Sequence, residues 1–130
     1  FAIGVTVFVT AMFAVLEFSR ALWVHNALAD AARRGARYAV LHAETDEAQV
    51  KNVVVFGNSS GTGNPMLSDL SAENVDVTYT NFGLNDGTVT VSITDYEFEF
   101  VIPIIGTTIT MPGYSTTLTA ESAGLIPNNV

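Results

Sequence analysis

The first 16 residues, FAIGVTVFVTAMFAVL, carry no charge, and apolar and small residues then continue at helical spacing past Glu17 and Arg20. Residues 1–43 contain no proline and two glycines, Gly4 and Gly35. The pattern predicts one helix of about 43 residues, about 65 Å long at 1.5 Å per residue. Its first half is apolar all round and its second half is amphipathic. A helix that is apolar on every side must lie in a bilayer or among copies of itself. The side chains that need this cover are Phe1, Ile3, Val5, Val7, Phe8, Val9, Met12, Phe13, Val15 and Leu16. The run shows no break at Leu16, so it is expected to be retained in the mature protein rather than removed as a signal peptide.

In the amphipathic half, Ala27, Ala31, Gly35, Ala39 and Ala43 recur at intervals of four. They form a smooth ridge that lets another backbone approach closely. The opposite face carries Asp30, Arg33, Arg34 and Arg37, with Asp30 spaced to pair with Arg34 at i+4.

Thr45-Asp46-Glu47 reads as a helix start with Thr45 as cap, and the pattern predicts a short helix over 45–56 ended by Gly57. Residues 57–73, rich in Gly, Ser and Asn, read as a loop. Within it Asn58-Ser59-Ser60 fits the N-glycosylation triplet, which makes Asn58 a candidate modification site. From Asn74 the period becomes two. Val75, Val77 and Tyr79 alternate with polar residues, and Asn85-Asp86-Gly87 marks a turn. Val89, Val91 and Ile93, then Tyr96, Phe98 and Phe100, read as one strand with an apolar face and a polar one that ends in Asp95, Glu97 and Glu99. Breaks at Pro103, Gly106, Pro112 and Gly113 leave two short strands, at 107–111 and 114–121, and a tail over 126–130. The expectation is an α+β fold. A long N-terminal helix packs by its Ala/Gly ridge on an antiparallel sheet of about four strands, over 74–122. Residues 1–26 form a stalk and residues 27–130 a head.

Charge divides the chain in the same way. Residues 1–43 hold two acids against four arginines, net +2, whereas residues 44–130 hold eleven acids against Lys51 alone, net −10. An acidic head repels nucleic acid and suits a protein kept soluble outside the cell or in salt. With no cysteine, disulfides, thiolate metal sites and cysteine nucleophiles are excluded. His25 and His42 are about 25 Å apart on one helix and cannot share a metal. No Ser sits in a glycine elbow, no Asp-rich calcium loop occurs, and no phosphate-binding or dinucleotide motif is present. The expectation is therefore no enzyme, no catalytic residue, no metal and no cofactor. A carboxylate beside a long apolar segment is costly unless paired. Glu17 and Arg20 can pair at i,i+3 within one helix, or Glu17 can meet a cation on a neighbouring copy and set register.

Glu17-Phe18-Ser19-Arg20-Ala21-Leu22, Ala27-Leu28, and Asp30-Ala31-Ala32-Arg33-Arg34-Gly35-Ala36-Arg37-Tyr38-Ala39 resemble the signature of TadE-like proteins. That family reads roughly E-F-G-R-A and then A-A-R-E-G-A-R-Y-A after an apolar helix, with Phe1-Ala2 fitting the end of its V-E-F-A string. Ser19 stands where the family usually has Gly, and Arg34 where it has an acid. The layout is also similar to type IV pilins and pseudopilins. The resemblance implies a subunit of tight-adherence or related pili, made as a membrane-anchored precursor in the cytoplasmic membrane and then carried on an extracellular filament. It implies copies of itself as partners, and an assembly platform, an ATPase and a prepilin peptidase during biogenesis. In that reading the apolar side chains line the filament core and Arg33, Arg34 and Arg37 form a basic face between subunits. A minor, membrane-anchored pseudopilin and an adhesive, glycan-binding head are the alternatives.

Overall fold

In the computed structural model, which describes residues 1–81, 87–101 and 108–119, helix α1 runs unbroken over Ala2–Val40. Leu41 ends it in a tighter turn, its N–H donating to the Tyr38 carbonyl at 3.1 Å. The helix therefore stops three residues short of the expected end, and Ala43 lies beyond it, exposed and off the packing ridge. A single 3₁₀ turn over Glu44–Asp46 leads into α2, Glu47–Phe56. Asp46 rather than Thr45 occupies the N-cap, and Gly57 closes α2 in the left-handed region at φ 77°, as its position predicts. Five strands follow: β1, Val75–Thr80; β2, Thr88–Ile93; β3, Glu97–Glu99; β4, Thr108–Thr110; and β5, Tyr114–Thr119.

The class is α+β, as expected, with five strands among the described residues, close to the expected four, divided between two sheets. The first sheet has the antiparallel order β1-β2-β5, with Val77, Val91 and Thr116 in register across it. The second is the β3-β4 antiparallel pair, with Phe98 opposite Ile109. The single strand expected through residues 88–100 is broken because the alternation slips by one. Val89, Val91 and Ile93 are buried on odd positions, but Tyr96 and Phe98 on even ones. The extra residue is absorbed at Asp95, which adopts φ 56°, a conformation that Asp tolerates better than most side chains. Asn74 fixes the break. Its side-chain amide donates to the carbonyls of Thr94, at 3.2 Å, and Asp95, at 3.1 Å, and its own carbonyl accepts from Thr94 N–H at 2.9 Å. The expected turn residues Asn85 and Asp86, residues 102–107 and the tail from Ala120 lie outside the described residues.

One core holds these parts together. α1 lies across β2 and β5 and along α2, burying Leu28, Ala31, Ala32, Gly35, Ala36, Ala39 and Val40 against Val50, Val54, Val89, Val91 and Ile93. Leu67 and Leu70, placed by the sequence in a polar loop, are buried as well. They are held by Met66 N–H donating to the Val55 carbonyl at 2.8 Å and Tyr96 Oη donating to the Ser68 carbonyl at 2.8 Å. A 3₁₀ turn at Ala72–Asn74, capped reciprocally by Ser71 and Asn74, delivers the chain into β1.

Gly35 marks the closest approach. A Cβ there would overlap Val54 Cγ2 and stand 3.2 Å from Val91 Cγ1. Both neighbours are β-branched and stiff at χ1, so neither can turn away cheaply. Overlap in a packed core costs about 1–3 kcal/mol, more than the roughly 1 kcal/mol that Ala gains over Gly in a helix. Gly35→Ala is therefore expected to lower the unfolding midpoint of the detergent-solubilised chain; an unchanged or raised midpoint in thermal denaturation contradicts this packing.

Burial raises the phenol pKa of Tyr79, Tyr96 and Tyr114. The carboxylates of Glu47, Glu44 and Asp46 add to it at Tyr79, and Asp69 adds to it at Tyr96, where Arg20 partly opposes. Each phenol thus ionises more readily in the unfolded chain than in the fold. The head holds its full stability below about pH 10 and loses it as pH rises through the raised folded values. Unfolding midpoints measured from about pH 8 to 11 should fall over the upper part of that range, and Tyr114→Phe should flatten the fall.

Candidate functional site: the junction of stalk and head

Every residue from Phe1 to Leu16 is exposed, including all ten large apolar side chains expected to need cover. The helix is long and apolar enough to cross a membrane, with a mean hydropathy of 1.9 over its apolar window and none of that window buried within the chain. Burial begins at Glu17 and continues through Val24, Leu28, Ala31 and Gly35. With Arg20, these positions fall at spacings of three and four and so form one stripe facing the head. Exposed apolar surface persists just above the stalk at Phe18, Leu22 and Trp23.

Arg20 ties this stripe to β3. Its guanidinium donates to the Glu99 carbonyl and lies 4.5 Å from the ring centre of Phe98, which is buried. Glu17 sits one turn below, with Oε2 3.7 Å from Arg20 Nη2, an ion pair too long to be a hydrogen bond. That oxygen is buried and has no hydrogen-bond partner among the described residues. The i,i+3 pairing is therefore the one formed within the chain, and the Glu17 carboxylate is turned toward its own head. Beside the pair lies an open cavity of about 560 Å³, whose walls include Trp23, Met66, Asp69, Tyr96 and Phe100. The break at Asp95 sets the β3-β4 pair at this level of the helix. Without the slip in alternation, Phe98 could not face Arg20. That slip from odd to even apolar positions was the signal for the junction in the sequence.

The three expected basic residues separate. Arg33 and Arg37 are exposed. Arg34 is half-buried and turns to its own α2, donating to the carbonyls of Val53 at 3.3 Å and Val54 at 3.4 Å and to Met66 Sδ at 3.1 Å, with Asp30 at 3.5 Å. A cation over the last carbonyls of α2 complements that helix end, so Arg34 braces α1 against α2. Of the ridge, Ala31, Gly35 and Ala39 are buried and Ala27 half-buried. His25 Nδ1 shares a 2.7 Å hydrogen bond with Tyr114 Oη, and His42 Nδ1 donates to the Tyr38 carbonyl at 2.7 Å. Among the described residues no cluster of three or more metal-ligating side chains occurs.

Asn58 has a local use. Its amide nitrogen donates to the carbonyls of Phe56 at 3.3 Å and Thr62 at 2.9 Å, while its Oδ1 accepts from Ser60 Oγ at 2.9 Å and Thr62 N–H at 3.1 Å. Attachment of a glycan requires that nitrogen and would open the loop that it closes.

A family model described as TadE-like protein matches residues 1–37. The similarity is to the first 37 residues of the chain. The TadE-like stretch takes in the exposed stalk, the Glu17–Arg20 pair and all four arginines, and it stops between Gly35 and Ala39 on the packing ridge. No curated protein and no solved structure matches the chain.

Removing Arg20 strands a buried carboxylate, whereas removing both charges does not. Arg20→Ala should destabilise the head by about 2–4 kcal/mol, combining the lost charged hydrogen bond with the unpaired Glu17. Glu17→Gln with Arg20→Ala should recover part of that loss. Denaturant unfolding of the two variants checks this; equal losses would show that the pair is uncoupled.

Proposed function

We propose that the chain is a structural subunit of an extracellular, type IV pilus-like filament of the tight-adherence kind, polymerising through α1. The observation that carries this reading is the full exposure of residues 1–16 on a helix whose upper half is fixed to a folded head. Removing ten large apolar side chains from water is worth roughly 1.5–3 kcal/mol each. A bundle of such helices supplies that burial as well as lipid does. The TadE-like match over the same residues supports the pilus setting.

The chain starts in the cytoplasmic membrane and ends on the cell surface. Transfer from lipid to a helix bundle gains little from hydrophobicity, since both are apolar. Assembly therefore calls on a platform and an ATPase, after a prepilin peptidase has matured the precursor. The subunit itself performs no catalysis, needs no cofactor and does not bind nucleic acid. Attachment to surfaces is the role of the finished fibre, with the head outermost. The same exposed helix could equally hold a minor pseudopilin in the bilayer, and abundance separates the two readings.

Mechanical shearing of cells should release thin filaments in which this chain is a principal component by mass spectrometry, visible by electron microscopy. Recovery solely from detergent-solubilised membranes, at low copy number, overturns the filament reading in favour of the anchored subunit.

A further inference from the structure

Arg33 and Arg37 are exposed, and neither forms an ion pair or hydrogen bond among the described residues. They lie two positions either side of Gly35, about 200° round the helix from the stripe that faces the head. They therefore project from the side of α1 turned away from the sheets. The carboxylates of β3 occupy the other side of the molecule. Phe98 points at Arg20 on α1, so Glu97 and Glu99, both exposed, point away from it. With Asp69 and Asp95 they line a shallow cleft of about 390 Å³.

The two charged surfaces thus lie back to back, separated by the thickness of the molecule, and one chain cannot bring them together. They are also offset along α1. β3 is tied at Arg20, and Arg33 and Arg37 lie 13 and 17 residues further on, a rise of about 20–26 Å. We infer that the Arg33/Arg37 face of one copy receives the Asp95-Glu97-Glu99 face of a second copy displaced by about 20–26 Å along the helix axis. This rests on the filament reading and adds its contact and its step. Opposite faces of one molecule that complement each other make a heterologous contact, and such contacts propagate instead of closing into a pair. Charge complementarity of this kind fixes register and excludes wrong neighbours more than it adds affinity.

Anionic lipid is the competing occupant of the arginines, and distance disfavours it. Trp23, an exposed indole seven residues above the uncharged run, is a natural marker for the membrane–water boundary. Arg33 and Arg37 stand 10 and 14 residues beyond it, about 15–21 Å along the axis. That is about two Debye lengths at physiological salt.

The chain has no native cysteine, which makes cross-linking clean. Arg37→Cys and Glu97→Cys placed in the same chain should, on oxidation of assembling cells, give a ladder of dimers, trimers and longer products, and each single variant should give none. Arg33→Glu with Arg37→Glu should lower the yield of sheared filaments about tenfold or more. Adding Glu97→Lys and Glu99→Lys should restore it, which no folding defect would do. Filaments with no ladder and no rescue overturn the inference and leave the filament reading standing. Absence of filaments from the unaltered chain overturns that reading first. A product that stops at the dimer indicates a closed pair and also overturns the inference. So does loss of binding to phosphatidylglycerol vesicles by the double arginine variant without a ladder, which assigns the arginines to lipid.

Discussion

One continuous helix must satisfy two environments, and the rest of the molecule is arranged around that demand. Below Glu17, α1 offers apolar surface on every side and its own chain covers none of it. Above Val24, the same helix presents a ridge of Ala and Gly that brings its backbone against α2 and the β1-β2-β5 sheet. The change happens within one unbroken helix, without a proline or a linker. The stalk is therefore rigidly joined to the head, and the direction of one fixes the direction of the other. The Glu17–Arg20 pair and the contact of Arg20 with Phe98 and Glu99 sit at the crossing point. They stiffen the place where a rod would otherwise emerge from its support.

Much of this was legible in the residues. The uncharged run, the spacing of small residues from Ala27 to Ala39 and the αL glycine ending α2 each state their role locally, through periodicity or backbone conformation. The errors arose where tertiary contacts decide. Leu67 and Leu70 stand among Gly, Ser and Asn, and only the return of that segment over α2 buries them. Arg34 looked like one of three equivalent surface cations. Its half-buried place depends on where the carbonyls of α2 end, which no local pattern encodes. The division into two sheets was present as a slip of one residue in the alternation, but an apolar run reads as a single strand until that slip is taken as a change of direction.

The charges sort by the same logic. Several act within the chain: Arg20 on β3, Arg34 on α2, Lys51 with Glu47 at 2.9 Å. Asn58, whose surroundings match a modification triplet, is likewise engaged in closing its own loop. Only Arg33 and Arg37 among the arginines look outward, and the net negative charge is gathered on the head. Such a chain is polarised across its width as well as along its length.

The left-handed residue at Asp95 carries a further consequence. It is where the chain absorbs one residue so that phenyl rings, and not carboxylates, meet the helix. Delete a single residue between Ile93 and Tyr96 and the parity of everything downstream inverts. Glu97 and Glu99 would then be driven under Arg20 and into the hydrocarbon wall around Trp23, while Phe98 would be turned out to water. The identity of the outer surface of β3 thus depends on chain length at one bend, so variation among related heads should conserve the count of residues across that bend more strictly than their kind.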